Sequence, residues 1–413
     1  LSQICQRRDV MNTAEAQAFV GLPEHVADFR QPSSSEPVQT AEVQDPKFGV
    51  VDFAYDPTHG VLVLAASDLS WSSRIDTKII NLRLPWEQAA PAVPSSQMSI
   101  WRQAAGELRF DLLAVSRYTA SQTSCALLMD AEGRGGLCMC GLSDGSIGYH
   151  ETSGPRGANM QGQTLPLVKH TAAIVAIAVD PPEQRLFSAS RDKAVMVYDV
   201  RGRRLLCEVH NPAAVTVMHH CREQRKLLCG TSSGQVVVWN TSAVPPWMET
   251  VVPDGVADPN AAAIAALVFD AAKDTLFTAS ATSLSLWVMK SSYSSSWGRK
   301  AGQIVDITGK PTSILWAESS RELLVGFASG AVVIFDVESS VASYAIQAHG
   351  EAVTSMMWMD AARRLITASG DRTVKVWDFP SLRRTPLEEQ PGFGKISVST
   401  FRGAAAAAPP PPP

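Results

Sequence analysis

Several groups of side chains in this sequence have types and spacings that invite a chemical reading. His219-His220-Cys221-Arg222, with Cys229-Gly230 downstream, places imidazoles and thiols close together, and these are the ligand types that zinc takes. A site of that kind needs paired Cys-x-x-Cys ligands, and the chain contains no such pair. Cys138-Met139-Cys140 reads as part of a strand, with both sulfurs on one face. Val200-Arg201-Gly202-Arg203-Arg204, near Arg191 and Lys193, is the densest basic cluster. It could meet a phosphate or an acidic patch, although a short charge run is ordinarily a solvated loop. Gly133-Arg134-Gly135-Gly136 falls at a hairpin turn. No nucleophile–base pair, no paired carboxylates and no glycine-rich phosphate loop stands out. The expectation is therefore no enzyme, no metal and no cofactor.

The elements that must carry these residues are short strands. In the stretch His349–Asp378, Val353 to Trp358 alternates in the manner of a strand, followed by a turn at Asp360-Ala361-Ala362-Arg363. Leu365–Ser369 is a second strand, Gly370-Asp371-Arg372 a tight turn, and Thr373–Trp377 a third strand. Short strands bounded by Gly and Asp turns indicate antiparallel sheet. The aromatic that ends the third strand recurs at Tyr149, Tyr198, Trp239, Trp287, Phe335 and Trp377, at intervals of 49, 41, 48, 48 and 42 residues. The preceding strands agree: LCMCGLSDG, RLFSASRD, KLLCGTSSG, TLFTASAT, ELLVGFASG and RLITASGD. A degenerate seventh copy, FGVVDFAYDPTHGVLVLAASD, lies at residues 48–68, with Ile79–Leu84 as its expected third strand.

The order of His349, Thr367, Asp371 and Trp377 within this repeat resembles the WD-repeat β-propeller family. The resemblance implies an all-β fold: seven blades of four-stranded antiparallel sheet in a ring, at about 40–45 residues per blade. It also implies a hydrogen-bonded tetrad of His349, Thr367, Asp371 and Trp377 within one blade, and a second of His170, Ser188, Asp192 and Tyr198. Such a network has a physical motive, because an indole N–H can only donate and must find a partner when buried. The 207–240 copy keeps His210 and Trp239 but has Cys229 and Ser233 at the other two places. The 304–336 copy has Val325, Ser329 and Phe335 and lacks the network. Those blades must rest on apolar packing. Parts of blades three and four, and residues 317–336, are similar to the propellers of FYVE-containing WD-repeat proteins, but the FYVE domain itself is absent.

The repeat divides the chain into an N-terminal extension (1–36), a propeller (37–379) and a C-terminal tail (380–413). Asn12 and Glu15 before Ala16–Val20 signal one short helix, and QPSSSEP at 31–37 is a linker. Pro37–Val43 is expected to be an N-terminal strand that closes the last blade, because closure removes exposed sheet edges. Pro85–Gly106, with Trp86 and Trp101, reads as a long insertion over the flank. Ser291–Lys300, with Tyr293 and Trp297 in a serine background, reads as a polar recognition loop. After Trp377 the chain should leave the ring and end in Ala404–Ala408 and Pro409–Pro413, a composition that favours extended polyproline II.

The 413 residues are 45% hydrophobic and 18% charged, with a formal net charge of −4, so no nucleic-acid surface is expected. No apolar run is long enough to span a bilayer. Seven scattered cysteines suggest reduced thiols and an intracellular, most simply cytoplasmic, setting. The expected function is a non-catalytic scaffold that binds other proteins or peptides, with Arg191 and Arg372 on the docking face. The alternative is a peripheral propeller using Arg201, Arg203 and Arg204 on membrane phosphoinositides. Nothing in the sequence sets the oligomeric state.

Overall fold

The computed structural model describes residues 39–42, 48–56, 61–68, 96–103, 110–129, 136–152, 157–165, 169–252, 262–281, 283–291, 294–307, 309–337, 341–359, 363–378 and 398–401. These residues form seven sheets. Strand β1 is Gln39–Glu42. Blade one contains β2 (Phe48–Asp56), β3 (Val61–Asp68), β4 (Ser96–Gln103) and β5 (Phe110–Tyr118). Blade two contains β6 (Gln122–Met129), β7 (Gly136–Leu142) and β8 (Ile147–Glu151), followed by β9 (Gly157–Gln161) and β10 (Gln163–Thr164). Blade three is β11 (Ile174–Asp180), β12 (Arg185–Ser190), β13 (Ala194–Asp199) and β14 (Arg204–His210). Blade four is β15 (Val215–Cys221), β16 (Lys226–Thr231), β17 (Val236–Asn240) and β18 (Trp247–Val252). Blade five is β19 (Ile264–Asp270), β20 (Thr275–Ser280), β21 (Ser283–Ser291) and β22 (Ser294–Ile307). Blade six is β23 (Pro311–Ala317), β24 (Glu322–Phe327), β25 (Ala331–Asp336) and β26 (Val341–Gln347). Blade seven is β27 (Val353–Met359), β28 (Arg364–Ser369) and β29 (Thr373–Asp378), and β30 (Val398–Phe401) is the last strand described.

The ring is visible in how the core is distributed. The buried apolar residues form seven clusters, and each lies in one seam between two blades. The closing seam joins Val50, Phe53 and Leu64 of blade one to Ile366 and Val376 of blade seven. A middle strand is therefore covered on both faces, which is why β16 and β24 are buried throughout and read as continuous apolar runs rather than alternating ones. Strand β1 completes blade seven as expected, pairing antiparallel with β29 in the register Gln39↔Val376 to Glu42↔Thr373.

Each innermost strand also carries a bulge near its start, seen as a register shift at Val50/Asp52, Gln122/Ser124, Ile174/Ala176, Val215/Val217, Ile264/Ala266, Pro311/Ser313 and Val353/Ser355. A bulge sharpens the local twist and re-aims the side chain of the extra residue. In blades four, six and seven that residue is a threonine whose hydroxyl donates to a backbone carbonyl of the next blade: Thr216 to Ile264 (2.7 Å), Thr312 to Val353 (2.6 Å) and Thr354 to Val50 (2.9 Å).

Four expectations need correction. The third strand of blade one is β4, which pairs with β3 along Val61↔Arg102 to Ser67↔Ser96; Ile79–Leu84 and Trp86 lie outside the described residues. Trp101 is thus a strand residue, opposite Leu62, and not part of an irregular insertion. Ser291–Lys300 is not a loop either, since β21 and β22 run into it as a hairpin with Met289↔Trp297 and Ser291↔Ser294; Tyr293 lies outside the described residues. Finally, the chain does not simply leave the ring after blade seven. Strand β30 returns to the outer edge of β22, with Ile304↔Phe401 and Ile307↔Val398. The outer edge of β5 is likewise covered, by β9 running parallel to it. The helix signal at 12–20 lies outside the described residues.

Candidate functional site

The structure brings the four side chains of each set together in blades seven and three. In blade seven the Trp377 indole N–H donates to Thr367 Oγ1 (2.9 Å), Thr367 meets His349 Nε2 (2.7 Å), and His349 Nδ1 meets Asp371 (3.0 Å). The hydroxyl accepts from the indole, so its own proton goes to Nε2, and Nδ1–H faces the carboxylate. Thr367 is fully buried, Trp377 only 1% exposed and His349 2%, so the indole–hydroxyl–imidazole bonds are shielded from water. Asp371 also accepts from the N–H of Gly350 (3.0 Å), the N–H of Thr373 (3.0 Å) and the Thr373 hydroxyl (2.6 Å). Burial pushes its carboxyl up, but the hydrogen bonds from His349, Thr373 and Gly350 outweigh this and hold it well below the usual carboxylate range.

Blade three repeats the arrangement. His170 Nδ1 meets Asp192 (3.0 Å) and Nε2 meets Ser188 (2.8 Å). The Tyr198 hydroxyl donates to the Met196 sulfur and also meets Ser188, and burial pushes it up to about 12. Burial raises the Asp192 carboxyl, but bonds from Ala194, Thr171 and His170 bring it below its ordinary value.

The register assigns corresponding positions in the weaker blades. His170 and His349 each precede their hydroxyl partner by 18 residues, and the same interval before Cys229 gives Asn211. The Trp239 indole donates to Asn211 Oδ1 (2.9 Å), and Asn211 Nδ2 donates to the Lys193 carbonyl (3.0 Å). His210, the residue expected there from the sequence, instead points outward beside Glu208. In blade five the Trp287 indole still reaches Thr278 (3.0 Å). In blade two the place of Tyr198 is taken by His150, opposite Cys138, and its Nδ1 bonds Ser116 (2.9 Å). Tyr149 is its neighbour and not the tetrad equivalent.

What the tetrads build is a fixed face. The N–H of His170, Asn211 and His349 donates to the carbonyl of Gly145, Lys193 and Gly330 respectively, each in the preceding blade's turn between second and third strands. That turn position needs positive φ. At Gly330 (φ +85°) a Cβ would lie 2.1 Å from the His349 oxygen. In blades three and seven the position is held by Lys193 (φ +75°) and Arg372 (φ +74°), so the tetrad turns present a cation where blades two, four and six present Gly145, Gly234 and Gly330. The sequence names Lys193 only beside the basic cluster and not on the docking face, although its place two residues after Arg191 matches Arg372 two after Gly370. Arg191 and Lys193 are exposed and Arg372 is half-buried. Arg191 and Arg372 share a face but stand in blades three and seven, separated by blades one and two on the shorter path.

A WD40 family profile (WD domain, G-beta repeat) matches residues 162–199 and 340–378, the two blades with complete tetrads. This chain is a seven-bladed propeller carrying WD40 repeats. Two curated proteins of Schizosaccharomyces pombe are similar to part of the chain. Meiotic fizzy-related protein 1 is 32% identical over 69 residues, 16% of each chain. Set1 complex component swd1 is 34% identical over 71 residues, 17% of this chain and 18% of that one. The chain thus spans under a fifth of the length of the curated relatives it matches. Among solved structures, a chain of the mitotic checkpoint complex is similar with a TM-score of 0.58 at 17% identity, covering 84% of this chain and 92% of that one. The computationally designed Ika8 protein is similar with a TM-score of 0.52 at 17% identity, covering 81% and 98%. At these identities the two structures speak to the fold alone.

The remaining candidate groups sit inside the WD40 architecture. His219, His220 and Cys221 lie in β15, and among the described residues no group of side chains is arranged to hold a metal. Burial lowers His219 to about 4 and raises Cys140 to about 12. The six described cysteines are free thiols, and raised thiols are poor nucleophiles. Of the basic cluster, Arg203 pairs with Glu151 (2.9 Å) and Arg204 with Asp199 (3.3 Å), which offsets part of its charge. No helix of the described residues is long and apolar enough to cross a membrane.

Proposed function

We propose that this propeller is a non-catalytic scaffold that holds other proteins on the face built by its tetrad turns, as a subunit of a larger assembly. The observation that carries this reading is the use made of the reactive side chains. His170, Ser188 and Asp192, and His349, Thr367 and Asp371, have the types found in catalytic triads, yet they bond to one another and to the turn backbone. Their yield is rigidity in the turns that carry Arg191, Lys193 and Arg372. Rigid turns lose little entropy on docking, and arginine is favoured at interfaces. The relatives' names agree with assembly: one is a Set1 complex component and one solved neighbour belongs to a mitotic checkpoint complex. The blade-five hairpin, with Trp297 on β22, would offer a second contact at the outer edge.

The test is recovery of partners from the chain's own cell with two charge-reversed variants. Arg191→Glu with Lys193→Glu and Arg372→Glu should lose the partners that the natural chain retains. Arg201→Glu with Arg203→Glu and Arg204→Glu, on the opposite face, should keep them. The reverse pattern would refute the assignment, and salt-sensitive binding of the natural chain to phosphoinositide vesicles would favour a membrane role.

A further inference from the structure

Among the described residues, the exposed large hydrophobics are Val244 (40%), Trp247 (45%) and Met248 (44%). They are consecutive apart from Pro245 and Pro246, of which Pro245 is also exposed, and they form one apolar knob at the β17–β18 hairpin of blade four. This hairpin lies on the face opposite the tetrad turns, because β17 starts at a tetrad-type turn and ends here. Nothing among the described residues accounts for leaving a tryptophan in water at this point. A large apolar group exposed beside others ordinarily marks a contact.

The route of the C-terminal segment brings a candidate to it. Strand β30 pairs with β22 so that Val398 lies opposite Ile307 and Phe401 opposite Ile304. The chain leaving Phe401 therefore heads toward the Ser294 end of β22, the same face as the blade-four hairpin. Ile304 is level with Ser285. Trp247 is opposite Asn240, one residue beyond Trp239, and the matching level in blade five is Val288, one beyond Trp287. Three residue levels separate the two points, about 10 Å along the strands. Strands β18 and β22 touch across the seam, so the sideways step is one sheet separation of about 10 Å plus one strand spacing of about 5 Å. The seven residues 402–408 can span about 23 Å, enough to set Pro409–Pro413 on the knob.

The chemistry of the segment suits that place. Its sequence from 402 onward is RGAAAAAPPPPP, with Arg402 as its single charge. Proline has no N–H, so the five prolines cannot extend a sheet edge. They can lie as a polyproline II helix against an aromatic-lined surface, with little entropy to lose. We propose that Pro409–Pro413 covers Val244, Trp247 and Met248 of the same chain. The apolar knob is then an intrachain dock for that segment.

Hydroxyl-radical footprinting of the whole chain tests this, read by mass spectrometry at Trp247 and Met248, with buried Trp377 as the internal standard. The comparison is a full-length variant with Pro409→Ser, Pro410→Ser, Pro411→Ser, Pro412→Ser and Pro413→Ser. The expected result is a severalfold rise in oxidation of Trp247 and Met248 in the variant, reversed by a free peptide with the sequence of residues 404–413, while Trp377 stays protected. Equal oxidation of the two chains would overturn the proposal, whether both are reactive or both protected. Protection of the natural chain that disappears on dilution would overturn it as well, by assigning the cover to a second copy.

Discussion

Replacing Thr367 with valine tests whether the blade-seven tetrad holds the ring's last blade or merely decorates it. The two side chains have nearly the same shape, so the change removes one hydroxyl and little packing. That hydroxyl serves two partners, the Trp377 indole at 2.9 Å and His349 Nε2 at 2.7 Å, and His349 is itself 2% exposed. Each buried polar group left without a partner costs about 1–3 kcal/mol. The added methyl returns under about 1 kcal/mol of apolar burial. Thr367→Val should therefore destabilise blade seven by roughly 1–5 kcal/mol on the same reckoning. Because a ring of repeats need not unfold in one step, the measurement is native-state hydrogen exchange of the β28 and β29 amides, supported by denaturant melts. Combining the change with Trp377→Phe, which removes the stranded indole donor, should cost less than the sum of the two single changes by about 1 kcal/mol or more. A Thr367→Val loss under about 1 kcal/mol, or strict additivity in the double variant, would show that the four side chains do not act as a unit.

Three further outcomes are expected. Asn211→Leu should cost about 1–3 kcal/mol by stranding the buried Trp239 indole, and a His210→Leu control, at a side chain that faces solvent, should be close to neutral; equal effects in denaturant melts would return the tetrad place to His210. Deleting Gln39–Glu42 should uncover the β29 edge and cause association, seen by light scattering after size-exclusion chromatography, whereas an unchanged monomer with an unchanged melt would mean that β1 does not close the ring. Burial lifts the Asp52 carboxyl from 3.8 to about 6, against the hydrogen bonds from Cys125, Ser355 and Phe53. The folded chain then holds the proton more tightly than the unfolded one, so this group's contribution is greatest below about pH 4 and declines as pH rises to about 6. Asp52→Asn should flatten that part of the stability profile, and an identical slope in both proteins would count against the assignment.

The architecture was legible because a repeat repeats its errors as well as its signals. Six third-strand positions were close enough to fix the blade count, and the Gly/Asp turns fixed the strand order. What failed did so for local reasons. Trp101 was read as part of an insertion because the residues between β3 and β4 carry prolines that break the period, yet it stands opposite Leu62 as Trp377 stands opposite Leu365. Tyr149 resembles the tetrad aromatic by residue type, but the register places its neighbour His150 opposite Cys138. His210 was preferred to Asn211 for the same reason: residue type was weighed above spacing, although an amide can accept from an indole as well as an imidazole can. Strand β30 was not foreseeable from local pattern, since an outer strand with one neighbour needs little sequence of its own.

The two complete tetrads and the three threonine clamps divide the labour of the ring. The tetrads act within a blade and at its turn face, and they occur in blades three and seven. The clamps act between blades, from four to five, from six to seven and from seven to one. Blade seven has both kinds, along with β1 on its outer edge, and it is the blade that meets blade one at the closing seam. Its partner across that seam, blade one, lacks a tetrad and supplies Asp52 instead, whose carboxylate accepts from the N–H of Cys125 in blade two (2.8 Å) and bonds Ser355 in blade seven. One buried carboxyl group thus joins three consecutive blades at the closing seam of the ring. A carboxylate is costly to bury, and here its hydrogen bonds reach both neighbours, so blade one is tied to the ring from two sides where its own sequence is most degenerate.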